Sequence, residues 1–324
     1  MTAILEIDDL HTHFRTRDGV VRAIEGLSLT VQAGEVLGIV GESGCGKSVT
    51  ALSVMRLIPS NAGGIVKGQV RFEGKDLASL SEPQMRSIRG NQIAMVFQEP
   101  MTSLNPVHTV GAQIAEAVRI HQGLSGPAAM ARAAEMLGLV RIPDAQRRVN
   151  DYPHQFSGGM RQRVVIALAL AAEPQLIVAD EPTTALDVSI QAQIISLLKK
   201  VCKDRGAAVM LITHDMGVIA ETCDRVAVLY AGRVAEIGPV HQVINHPAHP
   251  YTAGLMAAIP DIGEERDRLT QIDGAMPRLN AIPSGCAYNP RCPHALDRCT
   301  SQRPELLQAG NTRAACWLHD AQVP

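Results

Sequence analysis

The segment that most constrains this chain is Gly41-Glu42-Ser43-Gly44-Cys45-Gly46-Lys47-Ser48, followed by Val49. It matches the pattern G-x-x-x-x-G-K-S, and its flanks restrict the fold as much as its letters do. Val36-Leu37-Gly38-Ile39-Val40 is a short apolar run that ends at a glycine, the pattern of a buried strand feeding a loop. Such a loop turns backbone N–H groups inward around phosphates and passes them to a helix N-terminus. Lys47 is then placed to reach the β- and γ-phosphates, and Ser48 to ligate Mg²⁺. The expectation is an α/β nucleotide-binding domain.

Three further apolar runs read as buried strands: Ile93–Phe97, Leu176–Ala179 and Ala208–Ile212. From about Thr109 to Asp151 the sequence is Ala-rich with Arg and Glu and shows no strand signal, so it reads as a helical insertion. Val226–Leu229 and Arg233–Ile237 read as a β-pair joined at Ala231-Gly232. Beyond Gly238 the composition shifts to Pro, His and scattered Cys, which reads as a separate tail module.

Bulk properties exclude several classes. A chain of 324 residues holds one large domain plus an appendage. A net charge of −2 gives no basic excess for nucleic acid. No apolar run approaches the ~18–20 residues needed to span a bilayer, since Val164–Ala172 is too short and flanked by charge. The N-terminus lacks the basic and apolar regions of a signal peptide, so any membrane role is expected to be peripheral. Seven cysteines in such a chain point to reduced thiols or a metal site. Cys45, Cys202 and Cys223 read as small buried hydrophobes.

Two more segments carry chemistry. Leu176-Ile177-Val178-Ala179-Asp180-Glu181 ends a buried strand on two carboxylates. Asp180 suits the Mg²⁺ shell, and Glu181 suits the polarising of an attacking water. Ser157-Gly158-Gly159 opens a helix near Met160 with exposed N–H groups and a hydroxyl. That is an anion site without a lysine, suited to a γ-phosphate already held elsewhere.

In this order the three segments resemble the ATP-binding cassette (ABC) family. The resemblance implies ATP and Mg²⁺, and a phosphate-loop cassette with a RecA-like core, an N-terminal antiparallel β-subdomain and a helical subdomain at about 100–172. A small Cys-containing C-terminal module is expected to follow, dividing the chain at 1–240 and 241–324. It implies that Ser157, Gly158 and Gly159 complete a site on a second subunit. The segment departs from the commonest family pattern, Leu-Ser-Gly-Gly-Gln, with Phe156 first and Met160 last. Four more positions match family landmarks. Gln98 reaches Mg²⁺ and water, Asp187 in Thr184-Ala185-Leu186-Asp187 crosses the dimer interface, His214 contacts the γ-phosphate, and Phe14 stacks on adenine.

Phe97–Pro106, Tyr152–Arg163, Ala179–Val188 and His249–Thr252 resemble the ATPase subunits of bacterial dipeptide/oligopeptide permeases, a group that includes nickel and glutathione importers. The closest likeness is to the dipeptide-type first ATPase. It implies a second, different ATPase chain, two transmembrane permeases, a lipid-anchored or periplasmic binding protein, and a place at the cytoplasmic face of the inner membrane. A nickel or glutathione importer is the alternative. A soluble ABC ATPase acting on DNA or ribosomes is a remote one, lacking here the long coiled-coil insertion or second cassette it needs. Cys286, Cys292, Cys299 and Cys316 can ligate a [4Fe–4S] cluster or Zn²⁺. Their spacing fits neither zinc knuckles nor ferredoxins, and the family resemblance favours the iron–sulfur cluster.

Overall fold

The computed structural model describes residues 2–183, 187–259 and 271–320. Its strands, in chain order, are β1 (Ala3–Thr16), β2 (Gly19–Gln32), β3 (Val36–Val40), β4 (Gly63–Phe72), β5 (Lys75–Asp76) and β6 (Ile93–Val96). They continue with β7 (Leu176–Asp180), β8 (Ala208–Ile212), β9 (Arg225–Tyr230), β10 (Arg233–Pro239), β11 (Leu307–Ala309) and β12 (Thr312–Ala314). The chain divides into two compact units. One is Met1–Ile4, Val31–Val36 and Ser79–Ile212, and the other is Leu5–Thr30, Leu37–Ala78 and Thr213–Pro324.

In the first unit β6, β7 and β8 are parallel, with Ile93 opposite Leu176 and Leu176 opposite Ala208. Every residue of β7 and β8 is buried, as expected of strands covered on both faces. The 109–151 stretch is helical: Val110–Gln122, Gly126–Leu139 and Ala145–Arg148. The Thr109 hydroxyl caps the first of these by accepting from Ala112 N–H at 3.2 Å, and Gly123 ends it at φ +68°. Ser157 opens the helix Gly158–Leu170, and Asp187 opens Val188–Arg205.

The second unit holds an antiparallel sheet in the order β2-β1-β4-β5. Leu5 pairs with Phe72 at one end of β1, and Phe14 with Gly63 at the other. A second set of strands runs β11-β12-β10-β9-β3, with β3 parallel to β9 and the rest antiparallel. The β9–β10 turn is tight because Ala231 and Gly232 both take positive φ, +46° and +78°. Near the C-terminus β12 pairs with β10, Glu236 opposite Ala314, so late sequence extends this sheet. Among the described residues no helix is long and apolar enough to cross a membrane.

Candidate functional site

The phosphate loop lies in the second unit, between β3 and the helix Lys47–Val54. Gly41 and Gly46 sit at φ +148° and +108°, where a side chain is strained. A Cβ at Gly41 would fall 2.3 Å from the Leu229 carbonyl, and one at Gly46 2.7 Å from that of Ala23. The loop curls around Lys47, whose buried ammonium donates to the carbonyls of Gly41 (2.8 Å) and Glu42 (3.2 Å). Ser48 and Val49 are half-buried in the first helical turn. His214 follows β8, exposed, and shares with Gly41, Glu42 and Ser43 an opening of about 410 Å³. Phe14 is half-buried at the end of β1, where Gly63 allows close approach.

Cys45 is fully buried, and burial pushes its thiol pKa up. The neutral thiol is a poor nucleophile. Alkylation of Cys45 by a maleimide at neutral pH is expected to be at least tenfold slower than for an exposed thiol, and Cys45→Ala to leave ATP turnover within about twofold. Peptide mapping and a phosphate-release assay check both. Rapid alkylation would give Cys45 the reactivity that its burial argues against.

In the first unit Asp180 is buried at the end of β7, and Glu181 follows it in a left-handed conformation, φ +45°. Few residues other than glycine adopt that conformation, and where they do the neighbours hold them there. Here Glu181 N–H donates to the Ile212 carbonyl (2.9 Å), and the exposed Gln98 amide, just beyond β6, donates to the Glu181 carboxylate (3.1 Å). Two parallel strands thus deliver a carboxylate and an amide to one point. Ser157 is exposed and caps its helix by accepting from Met160 N–H at 3.4 Å. Phe156, one of the departures, is buried with the Arg148 guanidinium 5.6 Å from its ring centroid. Its bulk is therefore taken up in the core, leaving the Ser-Gly-Gly backbone in place. Gly159 packs on Ile190 of the helix that Asp187 opens, where a Cβ would lie 2.8 Å from that side chain. Thr184, Ala185 and Leu186 lie outside the described residues.

Sequence reasoning missed the residues that hold Glu42. Arg291 donates from both terminal nitrogens to the Glu42 carboxylate, at 2.8 and 2.9 Å, and Glu42 N–H donates to the Tyr251 hydroxyl at 2.9 Å. The guanidinium also lies 5.8 and 5.9 Å from the Tyr230 and Tyr288 ring centroids. No local pattern marks Arg291, because its partner is 249 residues away.

The four tail cysteines line one small cavity of about 10 Å³, room for one water. All four are free thiols, and Cys286 N–H donates to the Cys299 carbonyl at 2.8 Å. Among the described residues, the trio of metal-ligating side chains whose atoms lie within 4.8 Å of one another is His11, His13 and Glu25, and no trio of the cysteines does so. A tetrahedral zinc site, with Zn–S about 2.3 Å, needs sulfurs ~3.8 Å apart. A cubane binds each thiolate to a different iron and so spans more widely spaced sulfurs. The donor set fits four-thiolate ligation, and its spacing is looser than zinc requires.

Residues 24–184 match the ABC transporter family, and residues 235–299 match the oligopeptide/dipeptide transporter C-terminal region. The chain is 55% identical, over 99% of its length and 96% of the relative's, to a protein of Sinorhizobium fredii named a probable peptide ABC transporter ATP-binding protein. It is 48% identical to the dipeptide transport ATP-binding protein DppD of Bacillus subtilis, covering 100% of this chain and 97% of that one. A dimeric ATP-binding cassette solved after hydrolysis with ADP and phosphate superposes with a TM-score of 0.66 at 29% identity, over 73% of this chain and 98% of that one. The chain has the ATP-binding cassette fold and belongs to the ABC transporter family of ATP-binding proteins, in the branch that carries the oligopeptide/dipeptide transporter C-terminal region.

Proposed function

We propose that this chain is the ATP-hydrolysing subunit of a bacterial importer of di- and oligopeptides, acting at the cytoplasmic face of the inner membrane. The observation that carries the proposal is the Gln98–Glu181 pair at the ends of β6 and β7, in a chain with an intact phosphate loop. Lys47 and the backbone of residues 41–49 hold the phosphates, and Phe14 stacks on adenine. Ser48, Gln98 and Asp180 serve Mg²⁺, which neutralises charge on the transferred group. Glu181 takes the proton of the attacking water, with His214 at the γ-phosphate. Ser157, Gly158, Gly159 and Asp187 serve the site of a second, different ATPase chain. Two transmembrane permeases and a lipid-anchored or periplasmic binding protein complete the assembly. Residues 1–240 act as the nucleotide-binding domain, with a helical subdomain at about 100–172, and 241–324 as the C-terminal module. Uptake of a labelled dipeptide and of nickel by cells lacking this chain tests the reading. Dipeptide uptake should be lost and restored by the chain. Intact dipeptide uptake with nickel uptake abolished would reassign the cargo.

Cys286, Cys292, Cys299 and Cys316 are proposed to hold a [4Fe–4S] cluster, with Zn²⁺ as the alternative metal. Their convergence on one cavity and the looseness of their spacing support that order. Anaerobic purification is expected to yield iron and sulfide in equal amounts, both lost in Cys299→Ser. Zinc without sulfide would select the alternative.

A further inference from the structure

A further cavity in the unit that carries the phosphate loop, of about 540 Å³, is lined by none of the residues assigned above to the nucleotide. Arginines from three places in the sequence line it: Arg233 at the start of β10, Arg303 before β11, and Arg313 in β12. None of the three forms an ion pair within 4.0 Å among the described residues, and the Nε of Arg233 is buried without a hydrogen-bond partner. Burial and the facing charge of Arg303, against the weaker opposite pull of Glu25 and Asp9, lower the Arg233 pKa to about 10. Two carboxylates line the same cavity, Asp9 and the exposed Glu305, and Glu25 also acts on Arg233. Asp9 is bound by Lys67 at 2.7 Å and His11 at 2.9 Å, and Glu25 by His13 at 2.9 Å.

A partly desolvated guanidinium with no direct ion pair is costly, and the three guanidinium groups facing this space outnumber the two carboxylates that line it. An anion bound there would offset that excess, and the planar fork of arginine matches carboxylate or phosphate oxygens two at a time. Tyr230 and Tyr288 form another wall, their ring centroids 5.3 Å apart and nearly perpendicular. The volume lies within the range of small-ligand sites.

We infer that this cavity binds a small organic anion, its carboxylate or phosphate group held by Arg233, Arg303 and Arg313 and its remainder lying against Tyr230 and Tyr288. The inference uses no residue assigned to ATP, so it stands or falls apart from the transport reading. Two sources supply the chemistry, the C-terminal carboxylate of a short peptide and the phosphate of a mononucleotide.

Calorimetric titration of the full chain separates them. With the phosphate loop saturated by a non-hydrolysable ATP analogue and Mg²⁺, the probes are dialanine, dialanine amide, AMP and inorganic phosphate. Dialanine binding with a Kd below about 1 mM, and at least tenfold more weakly as the amide, assigns the carboxylate. Binding of AMP or phosphate without dialanine assigns the phosphate. Either affinity is expected to fall at least tenfold in Arg303→Ala/Arg313→Ala. That variant touches an exposed and a half-buried side chain, so it should keep the wild-type circular dichroism. Failure of every probe to bind below about 10 mM, or affinities unchanged in the folded double variant, overturns the inference.

Discussion

Replacing Glu181 with glutamine is expected to lower ATP turnover at the site it serves by at least about a hundredfold while leaving ATP binding intact. The amide keeps the length and shape of the side chain, and its oxygen still accepts from the Gln98 amide that now sits 3.1 Å from the carboxylate. The left-handed backbone at residue 181 is as accessible to glutamine as to glutamate. What disappears is the negative charge and the base, so the loss falls on the chemical step, where a positioned base contributes about 10²–10⁴-fold. With hydrolysis blocked, the ATP-bound assembly with the second ATPase chain proposed above should accumulate. Phosphate release and size-exclusion chromatography with ATP read the two effects. Gln98→Ala is the control for positioning, and a loss of only about tenfold is expected there, because the carboxylate remains. Undiminished turnover in Glu181→Gln would transfer the role of base to another group.

The parts of this site that could be read from the chain are those fixed by local sequence. β3, β6, β7 and β8 are short apolar runs, interrupted by charge only at Asp180 where β7 ends, and each is visible without its neighbours. The β9–β10 turn is likewise written in Ala231-Gly232. β1 and β4 are harder, and an antiparallel β-subdomain was legible only through family resemblance. A bulge between Asp8 and His11 breaks the alternation of β1, while β4 carries Gly63, Gly64 and Gly68 and leaves Val66 59% exposed. β11 and β12 are three residues each, too short to show a period. Within the site, Lys47 is marked by the phosphate-loop pattern, Glu181 by its place after an apolar strand, and Gln98 by family resemblance. The left-handed turn at Glu181 and the hold on Glu42 are tertiary effects. Tyr251 and Arg291 reach Glu42 across 209 and 249 residues, and no window of sequence contains both ends of such a contact.

Arg291→Met is expected to weaken ATP binding by about tenfold and to lower the unfolding temperature by several degrees. Glu42 is the second residue of the phosphate loop, and three groups act on it. Its carbonyl accepts from Lys47, its N–H donates to Tyr251, and its carboxylate takes both terminal nitrogens of Arg291. The tail thus fixes the loop's entry at the same residue through which the loop holds its own lysine. The Arg291 side chain is 5% exposed and Glu42's 28%, so the pair is mostly but not fully desolvated. Removing one partner of a fully buried pair costs about 3–5 kcal/mol, and the partial exposure of Glu42 brings the expected loss to about 2–3 kcal/mol. Methionine fills the space beside Tyr230 and Tyr288, so a cavity adds little to that figure. Arg291→Lys should recover only part of it, since an ammonium cannot bond both carboxylate oxygens in one plane. Glu42→Gln and the double variant complete a cycle in which a coupling above about 1 kcal/mol is expected. A coupling below about 0.5 kcal/mol, with ATP affinity unchanged in Arg291→Met, would mean that the tail only packs beside the loop and the loop's shape is self-supporting.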